Sequence, residues 1–203
     1  MDRAYLDIET AFDGRITVVG IYRPDRGTVQ LVGRDATPKA IMAFLDGASC
    51  LLTYNGHRFD LPRIKDELGL DLRALFPCRD LMFDCWRLGL KGGFKKVEER
   101  LGVARETRGV DGIMAMRLWE KYVDLDDTEA LALLLAYNRE DCENMPRVLE
   151  RLEMLGLPAS TGDPDHGGGQ EPGGQEPGGQ EPGGEQPGEG KARHEEERRR
   201  KRR

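Results

Sequence analysis

Arg3-Ala4-Tyr5-Leu6-Asp7-Ile8-Glu9 and, beyond an Asp13-Gly14 turn, Arg15-Ile16-Thr17-Val18-Val19-Gly20-Ile21-Tyr22 decide how this chain folds. The first stretch alternates around a β-rich centre and the second is dense in β-branched residues, so both read as strands. A third strand, Thr28 to Gly33, follows the turn at Asp25-Arg26-Gly27. Three strands joined by short turns predict an antiparallel meander. Thr37-Pro38 then opens a helix with Ile41, Phe44 and Leu45 on one face. Ser49 to Tyr54, bounded by Gly47 and Asn55-Gly56, reads as a short buried strand. Further on the pattern is helical: Leu61 to Leu68, Met82 to Leu88, Phe94 to Leu101, Ile113 to Tyr122, and Thr128 to Leu155 with a break expected near Pro146. Strands, one crossover, then helices make an α/β sheet with an antiparallel edge and a C-terminal helical layer.

The 203 residues carry 37 Asp+Glu against 31 Lys+Arg, a net charge of −6. Apart from Ala159 and Ala192, every apolar residue lies before position 158. Residues 1–157 are therefore expected to form one globular domain. Residues 158–190, with their repeats of Gly, Gln, Glu and Pro, are expected to be a disordered linker. Residues 191–203 end in six consecutive basic side chains, Arg198 to Arg203, and read either as a tethered arm that touches nucleic acid or another polyanion, or as a solvated tail without a partner. No stretch reaches the roughly 18 apolar residues of a membrane helix, and no basic-then-apolar leader opens the chain. The cysteines, Cys50, Cys78, Cys85 and Cys142, are scattered without a Cys-x-x-Cys pair, which argues against a zinc site or a disulfide framework. The expectation is a reduced, cytoplasmic protein. An acidic balance offers no global attraction to nucleic acid, so any such binding rests on local patches.

Three constellations carry chemistry. Asp7 and Glu9, two apart on a strand, point to one face. A close carboxylate pair is costly unless a cation sits between, and hard ions such as Mg²⁺ and Mn²⁺ prefer oxygen ligands. The alternative is an exposed edge pair. Next, Asn55 to Asp60 follows a buried strand, where open α/β sheets place ligand-facing residues. Alternatively Asp60 is a helix N-cap and Asn55 a turn residue tolerating positive φ. Last, Tyr137 and Asp141 stand one helical turn apart behind an apolar run, so a phenol and a carboxylate face the same way. The bland version is a core tyrosine beside a surface aspartate.

In this order, Asp-x-Glu, Asn-x-x-x-Phe-Asp and Tyr-x-x-x-Asp resemble the DEDDy 3′–5′ exonucleases of the ribonuclease H-like, DnaQ-like superfamily, and in particular the YprB-type ribonuclease H-like domain. Leu90 to Glu98 and Gly112 to Trp119 look like that family's linking helices. The resemblance covers about residues 1–155. It implies a ribonuclease H-like mixed β-sheet, an antiparallel meander plus parallel strands, flanked by helices. It also implies a phosphodiester hydrolase acting on a DNA or RNA 3′ end. By motif, Asp7, Glu9, Asp60 and Asp141 would hold two Mg²⁺ or Mn²⁺ ions, with Asp60 acting largely through bound water. Tyr137 would orient the attacking water. A structure-selective endonuclease of the same fold, or a non-catalytic nucleic-acid binding module, are the alternatives.

An acidic site needs positive charge beside it to receive a polyanion. Asn55 and Arg58 follow the second strand motif, with Arg63 and Lys65 behind them, and Lys91, Lys95 and Lys96 flank Gly92-Gly93, where a phosphate can approach the backbone. These read as the strand path or, equally, as solvated helix faces. Phe59 and Trp86 have the shape to stack on a terminal base, but core packing is the expectation for both. His57 reads as a loop residue.

Overall fold

The computed structural model describes residues 2–157. The linker and basic arm read from the sequence at 158–190 and 191–203 lie outside the described residues. Strand β1 (Arg3–Thr10) is central, with β2 (Ile16–Arg23) and β3 (Gly27–Val32) laid antiparallel on one side. On its other side β4 (Cys50–Thr53) runs parallel to β1, and β5 (Cys78–Asp80) parallel to β4. The sheet order is β3-β2-β1-β4-β5, so the mixed sheet of an antiparallel meander plus parallel strands is present, with one strand more than the four read from the sequence. Helices fill the connections: α1 (Pro38–Leu45), α2 (Asp60–Leu68), α3 (Leu72–Leu75), α4 (Leu81–Arg87), α5 (Phe94–Leu101), α6 (Gly112–Leu125) and α7 (Thr128–Met154).

Alternation on β1 sorts the layers. Ala4, Leu6 and Ile8 enter a core with Ile41, Leu45, Leu61, Ile64 and Leu72, beneath α1 to α3. Tyr5 joins Leu81, Val97, Met145, Val148 and Leu149 beneath α4, α5 and α7. Asp7 and Glu9 share the face of Tyr5 and so look toward α7, not toward the apolar α1–α2 layer. The pairing register slips immediately after Glu9, where a bulge ends the β1–β2 ladder. The helix starts are local: Thr37, Asp80, Asp111 and Asp127 each accept a hydrogen bond from a backbone N–H of the first turn.

Three expectations are corrected. The single crossover is two, because β5 exists. It is three residues long with two charged side chains, Arg79 and Asp80, both buried, so no apolar alternation announces it. The salt bridge from Arg79 Nε to Asp84 at 2.7 Å is what permits this. The short α3, between α2 and β5, was likewise not expected. Lastly, α7 does not break at Pro146. Met145, Val148, Leu149 and Leu152 are buried around it, and that packing offsets the lost hydrogen bond, a cost of about 3 kcal/mol. Cys50, Cys78, Cys85 and Cys142 are all buried and none forms a disulfide, and no described helix is long and apolar enough to cross a membrane.

Candidate metal centre

Gly20 sits opposite Asp7 in the β1–β2 ladder. A Cβ placed there would meet Asn138 Oδ1 at 2.2 Å and Cys142 Sγ at 2.9 Å. Only glycine lets α7 lie this close to the sheet. The approach delivers Tyr137, Asn138 and Asp141 to the face that already carries Asp7 and Glu9. Asn138 is fully buried; its Nδ2 donates to Asp7 Oδ2 at 2.9 Å, and its Oδ1 accepts from Gln30 Nε2 at 2.9 Å.

Asp7, Glu9, Asn55, Phe59, Asp60, Tyr137 and Asp141 line one cleft of about 250 Å³. One carboxylate oxygen from each of Asp7, Glu9 and Asp141 lies within 4.8 Å of the others, a spacing that suits a shared cation. Asp60 borders the same cleft, but its Oδ1 accepts from the backbone N–H of Ile8 at 2.9 Å. It is the first residue of α2 and not the cap, a place taken by Phe59 without a side-chain bond. Asn55 has φ of 63°, the turn conformation its residue type tolerates, and its N–H, like that of His57, is held by the Asp80 carboxylate at 2.7 and 3.0 Å. Asp80 thus shapes the turn that presents Asp60.

The electrostatics are those of crowded, buried carboxylates whose charges one ion pair, Arg105–Asp141, does not balance. Burial, then the charges of Asp141, Glu9 and Asp60, push the Asp7 carboxyl well above its usual range. Burial, then Asp141 and Asp60, do the same to Glu9. Burial raises Asp60 to about 7 against the hydrogen bond from Ile8. Asp141 is raised to about 6 by burial, opposed by Arg105. Such a set takes up either protons or a divalent ion, and oxygen-only ligands fit Mg²⁺ or Mn²⁺. Tyr137 and Asp141, one helical turn apart on α7, line the same cleft. Burial and the neighbouring acids raise the pKa of Tyr137, so the phenol keeps its proton.

The basic residues divide. Lys95 Nζ lies 4.4 Å from the centroid of the Tyr137 ring. Arg58 turns away from the cleft to cover Phe83 at 5.8 Å and Trp86 at 5.5 Å. Lys91 and Lys96 are exposed at the Gly92-Gly93 turn and do not line the cleft. Phe59 and Trp86 are 41% and 38% exposed, which corrects the core packing expected of them: Phe59 sits on the turn that lines the cleft, and Trp86 on α4 against Phe83 and Arg58. Two residues escaped the sequence reading altogether. Asn138 differs from any helical asparagine only in being next to Tyr137, and Arg105 lies in an irregular loop with no motif. A larger hollow of about 600 Å³, further along α6 beside Phe12 and Trp119, holds none of the four acids.

The RNase H superfamily model matches residues 4–153. No curated protein matches the chain. Among solved structures, the family B DNA polymerase of the hyperthermophilic archaeon Pyrobaculum calidifontis superposes with a TM-score of 0.59 at 17% identity, over 75% of this chain. The match covers 24% of the polymerase, so the chain spans about a quarter of that protein's length and the likeness is one of fold. The EXD2 exonuclease domain soaked in Mg and GMP gives a TM-score of 0.33 at 17% identity, covering 78% of this chain and 84% of that one. The same domain soaked in Mn and Mg gives 0.34 at 18%, covering 78% and 85%. The family match runs from the central strand to the last turn of α7 and takes in every wall of the cleft: the chain belongs to the RNase H superfamily.

Proposed function

We propose that this protein is a divalent-metal-dependent 3′–5′ exonuclease of the DEDDy type, akin to the YprB-type domain, that hydrolyses phosphodiester bonds at a DNA or RNA 3′ end. The observation that carries the reading is the gathering of Asp7, Glu9 and Asp141 within 4.8 Å, with Asp60 and Tyr137 on the same cleft. A module that only bound a polyanion would gain nothing from burying four acids against it.

Asp7, Glu9, Asp60 and Asp141 are the residues that would hold two Mg²⁺ or Mn²⁺ ions. Bound there, the ions supply Lewis-acid stabilisation of the attacking and leaving oxygens. The chain does the rest. Asn138 and the Ile8 N–H fix Asp7 and Asp60 in place. Tyr137 keeps its proton, and so orients the attacking water as a hydrogen-bonding group and does not act as its base. Lys95, beside Tyr137, offsets charge on the phosphate. Asn55 offers a neutral amide on the cleft, Arg58, Lys91 and Lys96 would meet nucleic acid only beyond the cleft, and the exposed rings of Phe59 and Trp86 offer faces for bases.

The test is a time course on 3′- and 5′-labelled single-stranded DNA and RNA with Mg²⁺, Mn²⁺ or EDTA, beside Asp7→Ala. A ladder shortening from the 3′ end, lost in EDTA and in the variant, is the expected outcome. Internal cuts would point to the endonuclease of the same fold. Salt-sensitive binding without cleavage would point to the binding module.

A further inference from the structure

Arg105 lies in the loop between α5 and α6, outside every motif, yet it is the hub of the acidic face. Its side chain is only 9% exposed. Nη1 donates to Glu98 Oε2 at 2.6 Å, Nη2 donates to Asp141 Oδ1, and Nε lies 3.5 Å from Glu140 Oε2. Glu98, 1% exposed on α5, is itself held by Asn144 Nδ2 at 2.8 Å. Glu140 accepts from the backbone of Glu106 and Thr107 and from the Thr107 hydroxyl, so the loop is stitched to α7. The guanidinium also covers the Tyr137 ring, 5.1 Å from its centroid, and its charge reaches Glu9. One rigid fork therefore spans a buried anchor on α5 and the Tyr137–Asp141 pair on α7, a geometry that the point charge of lysine does not reproduce.

We propose that Arg105 is a positioning residue. It fixes Asp141, and through its guanidinium face the Tyr137 ring, against the Glu98 anchor, and it supplies standing positive charge to the cluster that a divalent ion must work against. This rests on the exonuclease reading above and deepens it. The two roles have opposite signs for metal affinity and turnover. Removing Arg105 takes a cation away from the carboxylates, which favours ion binding, while freeing the groups that must be placed for chemistry.

The experiment compares full-length wild type, Arg105→Ala and Arg105→Lys by Mn²⁺ titration followed by electron paramagnetic resonance, by thermal melting, and by kcat and KM on a labelled oligonucleotide. Arg105→Ala is expected to bind Mn²⁺ about fivefold more tightly. Its kcat is expected to fall about a hundredfold with KM little changed, the cost of a group misplaced by an ångström. Arg105→Lys, which keeps the charge and guards against misfolding of the alanine variant, is expected to bind Mn²⁺ like wild type and still turn over about tenfold slower. Unchanged affinity and kcat in Arg105→Ala would overturn the proposal. So would a parallel loss of both with the melting temperature, which marks a purely structural ion pair, and so would full turnover in Arg105→Lys. A wild type that binds Mn²⁺ but hydrolyses nothing would overturn the exonuclease reading instead, and the affinity comparison would then decide the role of Arg105.

Discussion

Asn138 reaches across from α7 to donate to the Asp7 carboxylate on β1, and does so because Gly20, the neighbour of Asp7 on β2, has no side chain in the way. Gly20→Ala would drive a methyl group into Asn138 Oδ1 and Cys142 Sγ. The expected destabilisation is about 1–3 kcal/mol, read as a lower urea midpoint with an unchanged slope. Asn138→Ala should leave the backbone in place and weaken Mn²⁺ binding, since Asp7 loses the amide that orients it. Equal Mn²⁺ affinity in wild type and Asn138→Ala would remove that role.

Asp141→Asn keeps the shape of the side chain and removes its charge. Hydrolysis should fall roughly a hundredfold or more, with a melting temperature at least that of wild type in EDTA. Tyr137→Phe should fold equally well and lose activity by about tenfold to a hundredfold, since only the hydroxyl of this cleft residue is gone. Full activity in either variant would remove the third motif from the site.

The acids of the cleft make metal-free stability depend on pH in an unusual direction. Asp60 and Asp141 titrate at about 7 and about 6 in the folded protein, against 3.8 for a free carboxyl. The folded state thus holds protons that the unfolded state has released, and stability is lost as pH rises from about 4 to about 7. In EDTA the melting temperature should fall between pH 5 and 7.5, and Mn²⁺ should restore it at the upper end. Asp60→Asn should flatten the slope. A melting temperature that rises with pH in EDTA would contradict the raised pKa values.

Phe59 presents an exposed ring on the cleft, and Trp86 a part-exposed ring on α4 under Arg58 of the neighbouring turn. Stacking on one base contributes about 1–3 kcal/mol, so Trp86→Ala and Phe59→Ala should each raise KM for a single-stranded oligonucleotide about tenfold and change kcat little. An unchanged KM would assign these rings to the surface alone.

Much of this was legible beforehand, for identifiable reasons. The meander announced itself because β1 to β3 alternate or carry β-branched runs between glycine turns. Asp7, Glu9, Tyr137 and Asp141 could be paired from strand and helix periodicity alone, and they do share a face. Asp60 was placed at the right helix start, though its bond to Ile8, 52 residues away in sequence, leaves no local trace. What escaped reading was polar and buried through side-chain partners that no periodicity marks: β5, whose Arg79 needs Asp84 five residues on; Asn138, which needs Gly20; and Arg105, whose three carboxylates come from α5 and α7. Exposure of Phe59 and Trp86 escaped for the converse reason, since an aromatic residue carries no sign of which side of a turn it occupies.

The cleft joins the first strand to the last helix, and the amide that orients Asp7 comes from 131 residues further along the chain. During synthesis at about 5–20 residues per second, β1 waits on the order of ten seconds for its partner. Until α7 leaves the ribosome and docks, Asp7 and Glu9 stand on an open sheet without Asp141, Tyr137 or the Asn138 brace. Contacts of such high order also form late in folding. A nascent or misfolded copy therefore has no assembled acidic cluster, and on the exonuclease reading it has no centre with which to cut the nucleic acid around it.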